Sequence, residues 1–139
     1  LFALFVPRIV IPSPTSLGLF TLFVIGGIIL YFEITLLFGT IGFWSPDVWG
    51  PKFLFFMIMD FTAGKLFPLD ILPDIIQKAI YLTPFPYLSY VQIQVFLGNL
   101  NPSELLQNSA ALLFWIVSMG ILSIIIWRRG MLDYSATGN

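Results

Sequence analysis

Long apolar stretches separated by short proline-rich segments dominate the pattern along the chain. The apolar blocks run over residues 1–6, 17–44, 51–67 and 105–127. A membrane-crossing helix needs about 20 apolar residues, so the second and fourth blocks are long enough to span. The third block rises only about 25 Å and is marginal, although residues from 48 onward can lengthen it. The first is too short, and we interpret it as the end of a helix that began upstream.

Two of these blocks carry signals for the start of a helix. Ser13 can accept a hydrogen bond from the first turn, and Pro14 suits a position where no donor is needed. Before the last block, Asn101 and Glu104 have the spacing of a capping box, in which each side chain accepts from the backbone of the other. The pattern therefore predicts well-defined helix starts at these two points.

Between the last two blocks the pattern changes to short amphipathic elements. A helix between Pro73 and Pro84 is predicted, because apolar residues recur at helical spacing with polar residues opposite them. These apolar residues are Leu72, Ile75, Ile76, Ala79 and Ile80. A second short helix is predicted over 86–97. Each has only about 10–13 residues and cannot span, so this segment either lies at the membrane interface or dips in and returns.

The composition indicates that these apolar helices belong to a membrane protein. Hydrophobic residues make up 58% of the chain and charged residues 9%, against about 45–50% and about 25% in soluble domains. We therefore predict an all-α integral membrane protein, a polytopic helical bundle with short external or re-entrant helices between the last two spans. The predicted segments are a span end and loop over 1–11, spans over 14–44, 48–67 and 102–128, short helices over 68–101, and a tail over 129–139.

The sequence lacks the residue types that several classes of chemistry require. The 139 residues include no cysteine and no histidine, which removes thiolate, imidazole and the commonest metal-site chemistry. The net charge of −1 leaves no basic surface for nucleic acid. No P-loop motif is present, so the chain is not expected to hydrolyse ATP. We predict a protein that is not an enzyme and that has no metal site and no cofactor.

Basic and aromatic residues at the span ends predict the orientation. Arg128 and Arg129 directly follow the last apolar block, and basic residues favour the cytoplasmic side. Trp44, Trp49 and Trp127 fall at the same predicted level and are interpreted as anchors in the membrane interface. The C-terminus is therefore predicted to be cytoplasmic, and residues 68–101 are predicted to face outward.

Two acidic residues fall inside predicted spans. A charge at the centre of a bilayer costs about 2.5–3.5 kcal/mol on insertion scales, so Glu33 and Asp60 must be neutral, paired or hydrated. Each could be a structural hydrogen-bonding group or a group on a transport pathway. Lys65 lies five residues after Asp60 and is expected on a different helix face, which makes it a poor partner.

The order of motifs resembles the C-terminal half of the ABC type-2 exporter permeases. The resemblance runs from about Pro12 onward and rests on "GFWSPDVWG", then "KLFPLDILPDIIQKAIYLTPFPYLSYVQIQVFLGN", then "WRRGMLDYSATGN". The "FPLDILP" segment, the "PF" dipeptide and "FLG" are its most specific parts. The most similar subgroup is the bacterial six-span permeases described as multidrug or viologen exporters.

The resemblance implies a permease subunit in the bacterial plasma membrane, forming the substrate pathway of an ATP-driven exporter. It implies a separate ABC ATPase subunit and a second permease subunit, in a homodimer or heterodimer. Glu33 and Asp60 depart from the apolar or small residues of the family. A proton-coupled secondary transporter using these two acids and a non-transporting membrane scaffold are the alternatives.

The resemblance also implies that residues 68–101 close the pathway from outside. The candidate gate residues are Pro68, Asp70, Pro73, Ile76 and Pro84. The apolar face of the first short helix is expected to pack on the outer ends of the last two spans. Four charged residues are expected to stay in water at the rim: Lys65, Asp70, Asp74 and Lys78.

Overall fold

The computed structural model describes residues 13–45 and 49–136, and this part of the chain is helical, with no strand. The predicted all-α class is confirmed, whereas the predicted loop over 1–11 lies outside the described residues. Its α-helices are α1 (Pro14–Thr40), α2 (Trp49–Thr62), α3 (Asp74–Tyr81), α4 (Tyr90–Leu97) and α5 (Pro102–Ala136). Shorter 3₁₀ turns cover Ile41–Phe43, Leu69–Ile71 and Phe85–Leu88.

Two of the described helices are long and apolar enough to cross a membrane. They cover Pro14–Phe43 and Pro102–Leu132, close to the predicted spans over 14–44 and 102–128. Both predicted helix starts are confirmed. The Ser16 N–H donates to Ser13 Oγ at 3.1 Å. The backbones of Asn101 and Glu104 each donate to the other's side chain at 2.9 Å.

Helices α1 and α5 pack against each other along most of their length. Small residues allow the close approach: a Cβ built on Gly26 would lie 2.8 Å from Leu112, and one on Gly120 would lie 2.9 Å from Glu33. Further along, Phe43 occupies the space above Gly130. Residue numbers rise together on both helices at these contacts, so α1 and α5 run parallel.

Helix α2 ends earlier than the sequence pattern predicts. The block over 51–67 was expected to remain helical up to Pro68, but the helix stops at Thr62. Gly64 has φ 73°, and its N–H donates to Phe61 O at 3.2 Å while the Lys65 N–H donates to Asp60 O at 3.2 Å. This pair of bonds is a Schellman motif, which terminates helices at a left-handed glycine. That residues 48–67 cross a membrane remains a prediction.

The segment between α2 and α5 folds into a helical hairpin, which we define as residues 74–97. Pro73 precedes α3, as predicted. Helix α3 ends at Tyr81, and Pro84 stands at the start of the next 3₁₀ turn rather than at the end of the helix. The second predicted helix, over 86–97, is divided into this 3₁₀ turn and α4 by Ser89. Gly98, with φ 71°, ends α4.

Candidate functional site

The hairpin lies alongside α1 rather than at its end. The rings of Phe20 and Phe96 are 5.1 Å apart, which places the end of α4 beside the second turn of α1. At the other end, the rings of Phe85 and Phe55 are 5.7 Å apart, and Phe55 is 4.1 Å from Phe38 near the end of α1. Because α1 is itself a candidate span, this is the arrangement in which the segment dips in and returns.

The hairpin approaches α1 closely at Gly27. The side chain of Gln92 lies where a Cβ of residue 27 would be, and Tyr87 O would be 3.2 Å from that Cβ. Gln92 Nε2 donates to Tyr87 O at 3.0 Å, so the carboxamide ties α4 to the preceding 3₁₀ turn at this contact. Only a glycine leaves space for this polar group against the middle of a long apolar helix.

The hairpin tip, residues 82–85, forms one wall of a mostly apolar cavity of about 390 Å³. The cavity is bounded by α1, α2 and α5 together with the tip, and it lies beside the C-terminal half of α1. Its walls are Ile34, Leu37, Phe38, Phe55, Leu82, Thr83, Pro84, Phe85, Trp115 and Met119. Such a cavity can hold an apolar group, and aromatic side chains supply most of the large contact surfaces.

A chain of hydrogen bonds connects the 3₁₀ turn at Asp70 to α4. Tyr90 Oη donates to Asp70 Oδ1, Gln94 Nε2 donates to Asp70 Oδ2 at 3.4 Å, and Asn99 Nδ2 donates to Gln94 Oε1 at 2.7 Å. Burial and then the bond to Asp70 raise the pKa of the Tyr90 phenol above its usual value, so Tyr90 remains a donor near neutral pH. Asp70 is exposed, but its carboxylate is bound to the hairpin instead of being only hydrated at a rim.

Asp60 and Lys65 form an ion pair, so the expectation that Lys65 is a poor partner was wrong. Lys65 Nζ lies 2.5 Å from Asp60 Oδ1, and both side chains are 40% exposed. The spacing rule for helices fails because the helix ends at Thr62, between the two residues. Lys65 Nζ also lies 5.7 Å from the ring centre of Tyr31. The pair therefore lies beside the C-terminal half of α1 and not at either end of that helix.

Glu33 has different neighbours from Asp60. One carboxylate oxygen approaches Gly120 on α5, and the other is buried with no hydrogen-bond partner. Ser123 lies one helical turn beyond Gly120, is 4% exposed, and also has a buried, unpartnered oxygen. The structure therefore places the two candidate acids in separate environments instead of in one site.

The apolar face of α3 is mostly uncovered. Ile80 is buried, but Ile75 is 81% exposed and Ile76 43% exposed. The expected packing of this face on the outer ends of the last spans is thus wrong for the described chain. The reason is that α3 packs mainly against the 3₁₀ turn over Phe85–Leu88. Asp74 and Lys78 remain exposed on this helix, as expected.

Two of the three predicted anchors, Trp44 and Trp127, come together at one end of the bundle around Phe43. The ring of Phe43 lies 6.0 Å from Trp44 and 5.5 Å from Trp127, and Trp49 stacks on Phe53 at the start of α2. Arg128 and Arg129 directly follow Trp127 and are exposed. Such a grouping of indole rings beside basic residues is typical of a membrane–water boundary.

Sequence reasoning missed Gly27, Gln92 and Tyr90, which position the hairpin. The adjacent glycines Gly26 and Gly27 inside an apolar helix were a usable signal, because glycine there often marks a close approach of another backbone. Nothing in the sequence indicates which residue approaches.

Comparison with known proteins identifies the chain. A family model described as "ABC-2 family transporter protein" matches residues 2–138, which confirms the family-level resemblance found in the motifs. No curated protein and no solved structure matches. The match covers almost all of the 139 residues, and the long apolar helices agree with a membrane component of a transporter. The chain belongs to the ABC-2 family of transporter proteins.

Proposed function

We propose that this chain is part of the permease subunit of an ATP-binding-cassette exporter, powered by a separate ATPase subunit. The observation that carries the proposal is the hairpin that lies beside α1 and lines an apolar cavity, in a chain of the ABC-2 family. An apolar cavity between candidate spans suits transport better than it suits a scaffold. The absence of a P-loop motif in these 139 residues leaves ATP hydrolysis to a partner.

The cavity under the hairpin tip supports an apolar or amphiphilic cargo. Its walls are hydrophobic apart from Thr83, so it would favour the apolar part of a ligand without selecting it by hydrogen bonds. This proposal agrees with the multidrug subgroup to which the motifs are similar. Residues Pro68, Asp70, Pro73, Ile76 and Pro84 would then belong to the outer closure, with prolines restricting its shape.

A second permease subunit is the proposed partner of the exposed face of α3. Ile75 on α3 and the flanking residues Ile71 and Leu82 are each at least 70% exposed, and an apolar surface of this kind needs lipid or protein to cover it. In a dimer with two hairpins side by side, Ile76 would lie at or near the contact.

The proposed orientation places the C-terminus in the cytoplasm of a bacterial cell. It places the segments that connect the hairpin to α2 and to α5 outside the cell. Arg128, Arg129 and the grouped tryptophans support it. The chain contains no cysteine, so Ser135→Cys introduces a single label site. We expect Ser135→Cys to resist a membrane-impermeant maleimide in intact cells and to react after permeabilisation. Reaction in intact cells would contradict this topology.

Identifying the energy source of extrusion tests the proposed function. The full-length permease and its P-loop ATPase are reconstituted in vesicles, and extrusion of a set of fluorescent amphiphiles is followed. We expect extrusion to require ATP, to stop when the P-loop lysine of the ATPase is replaced, and to continue with a protonophore. Extrusion that persists without ATP and stops with the protonophore would instead indicate a proton-coupled transporter. Normal ATPase turnover without extrusion of any amphiphile would favour a scaffold.

A further inference from the structure

A second cavity, of about 410 Å³, lies where the hairpin meets the first turns of α5. Its walls include Tyr81, Tyr87, Glu104, Gln107, Asn108 and Ala111, and we call it the Tyr81 cavity. It differs from the apolar cavity at the hairpin tip, because most of its wall residues have polar side chains. The transport function proposed above makes no use of it.

The two cavities follow each other along one face of α5. Glu104, Asn108 and Ala111 line the Tyr81 cavity, and Trp115 and Met119 line the apolar cavity. Steps of three or four residues keep all of these side chains on the same side of a helix. A molecule that moves along this face toward the start of α5 therefore passes from apolar walls to polar walls.

The 3₁₀ turn over Phe85–Leu88 contributes a wall to each cavity. Phe85 borders the apolar cavity, and Tyr87 borders the Tyr81 cavity. Tyr87 is buried, and its hydroxyl group donates to Tyr81 O at 3.4 Å. This bond ties the turn to the end of α3, so both tyrosines belong to one connected wall that faces α5.

The charge in the walls of the Tyr81 cavity is negative. Glu104 is the one charged residue among its described wall residues. The Glu104 Oε2 atom accepts from the Asn101 N–H at 2.9 Å, whereas Oε1 accepts no hydrogen bond from the described part of the chain. By contrast, the cavity that Asp70 lines also has Lys65 in its wall, so the two charges there balance. One carboxylate oxygen in the Tyr81 cavity is therefore available to a positively charged ligand.

The two tyrosines add a surface that attracts cations. The face of a tyrosine ring carries a negative potential and binds ammonium groups that lie within about 6 Å of the ring centre. Burial is the main cause that raises the pKa of the Tyr81 phenol, and the carboxylates of Asp70 and Glu104 act in the same direction. The phenol therefore stays neutral near neutral pH, and both carboxylates favour a positive charge beside it.

We propose that the Tyr81 cavity binds the ammonium group of an organic cation, with the Glu104 carboxylate as its counter-charge and the Tyr81 ring in contact with it. The amide oxygens of Gln107 and Asn108 can accept from N–H groups, and Ala111 offers an apolar contact to an alkyl group. A metal cation fits less well, because Ca²⁺ takes about six oxygen ligands or more. As a step in export this site rests on the proposed function, whereas the binding itself does not.

Titration of the full-length permease in a non-ionic detergent, followed by ligand NMR, tests the proposal. The probes are choline and the uncharged alcohol in which carbon replaces its nitrogen. We expect choline to bind more tightly than the alcohol, and Glu104→Gln to weaken choline binding about fivefold while the alcohol is unaffected. Glutamine also suits the third position of a capping box, so the variant should keep the start of α5. Asp74→Asn, in an exposed position outside the cavity, is the matched control and should bind choline as the wild type does.

Two further measurements define the site. Tyr81→Leu should weaken choline binding, whereas Tyr81→Phe should keep it, because the ring remains. Phosphatidylethanolamine added to the detergent distinguishes two sources of the ammonium group. Competition with choline that Glu104→Gln removes would assign the site to a lipid amine, and no competition would assign it to a free organic cation.

The proposal is overturned if choline does not bind the wild type, if choline and the alcohol bind equally, or if Glu104→Gln leaves choline binding unchanged. None of these results bears on the proposed function, because ATP-driven extrusion of an uncharged amphiphile does not need the carboxylate. Loss of that extrusion in the wild type would contradict the proposed function and would leave the binding result standing.

Discussion

Gly27→Leu is expected to displace the hairpin from α1 and to lower the stability of the permease. Any side chain at this position meets Gln92 and the Tyr87 carbonyl oxygen, which would lie 3.2 Å from the new Cβ. The Gln92 side chain can move aside for one methyl group, but it then loses its bond to Tyr87. A leucine also reaches the backbone of the hairpin. Overpacking of this kind costs about 1–3 kcal/mol.

A matched control is available on the same helix. A Cβ at Gly18 would meet nothing within 4 Å, so Gly18→Leu should be tolerated and can even stabilise the helix, given the low helix propensity of glycine. Thermal unfolding of the two purified variants in detergent measures the difference. Equal stability of Gly27→Leu and Gly18→Leu would show that the hairpin does not rest on α1 as described.

The second large effect is expected from breaking the pair of Asp60 and Lys65. An exposed ion pair in water contributes at most about 1 kcal/mol, whereas a lone charge in hydrocarbon costs about 2.5–3.5 kcal/mol. The pair lies beside the C-terminal half of α1, away from the ends of that helix, so Asp60→Asn should leave Lys65 as a lone charge and should destabilise the protein by more than a surface pair would. Adding Lys65→Gln should recover most of the loss.

An export assay on the double variant distinguishes a purely structural role of the ion pair from a role on the transport pathway. If the double variant Asp60→Asn/Lys65→Gln assembles but no longer exports, the two charges act on the cargo or its passage. If it assembles and exports normally, they act only as a pair. Asp74→Asn provides the control, because Asp74 is exposed on α3 and should change neither property. If Asp60→Asn alone lowers the free energy of unfolding by less than about 1 kcal/mol, the ion pair lies in water and the interpretation is wrong.

Local rules predicted the helix starts well and the end of α2 poorly. The capping box of Asn101 and Glu104 and the cap at Ser13 are encoded by neighbouring residues, so the sequence alone is sufficient. The end of α2 also had a local signal, Gly64, but the apolar block continues to Phe67 and the pattern predicts a helix up to Pro68, because proline cannot remain in a helix. With Gly64 as the stop, the pairing of Lys65 with Asp60 becomes possible, since the chain reverses between them.

Contacts between distant segments could not be predicted. Gly27 meets Gln92, and Glu33 meets Gly120, across separations of 65 and 87 residues. Neither a hydrophobic period nor a capping pattern carries information about such pairs. The sequence indicated that Glu33 needed a partner or a proton, because that follows from the cost of its charge. It could not indicate that α5 offers a glycine and a serine at that level.

The hairpin tip is where the central claim, an ATP-driven opening of the outer closure, can be tested most directly. Thr83 lies in the wall of the apolar cavity, and Thr83→Cys gives a single thiol in a stretch without cysteine. The measurement is the rate at which an impermeant maleimide added outside modifies this thiol in the full permease with its ATPase. Ser103→Cys, at the exposed start of α5, is the reference.

The account predicts slow modification of Thr83→Cys at rest and several-fold faster modification during ATP hydrolysis. The rate should return to its resting value when the P-loop lysine of the ATPase is replaced, while Ser103→Cys reacts at one rate throughout. A rate for Thr83→Cys that is the same with and without ATP hydrolysis would contradict the claim that the hairpin is the ATP-driven closure of the pathway.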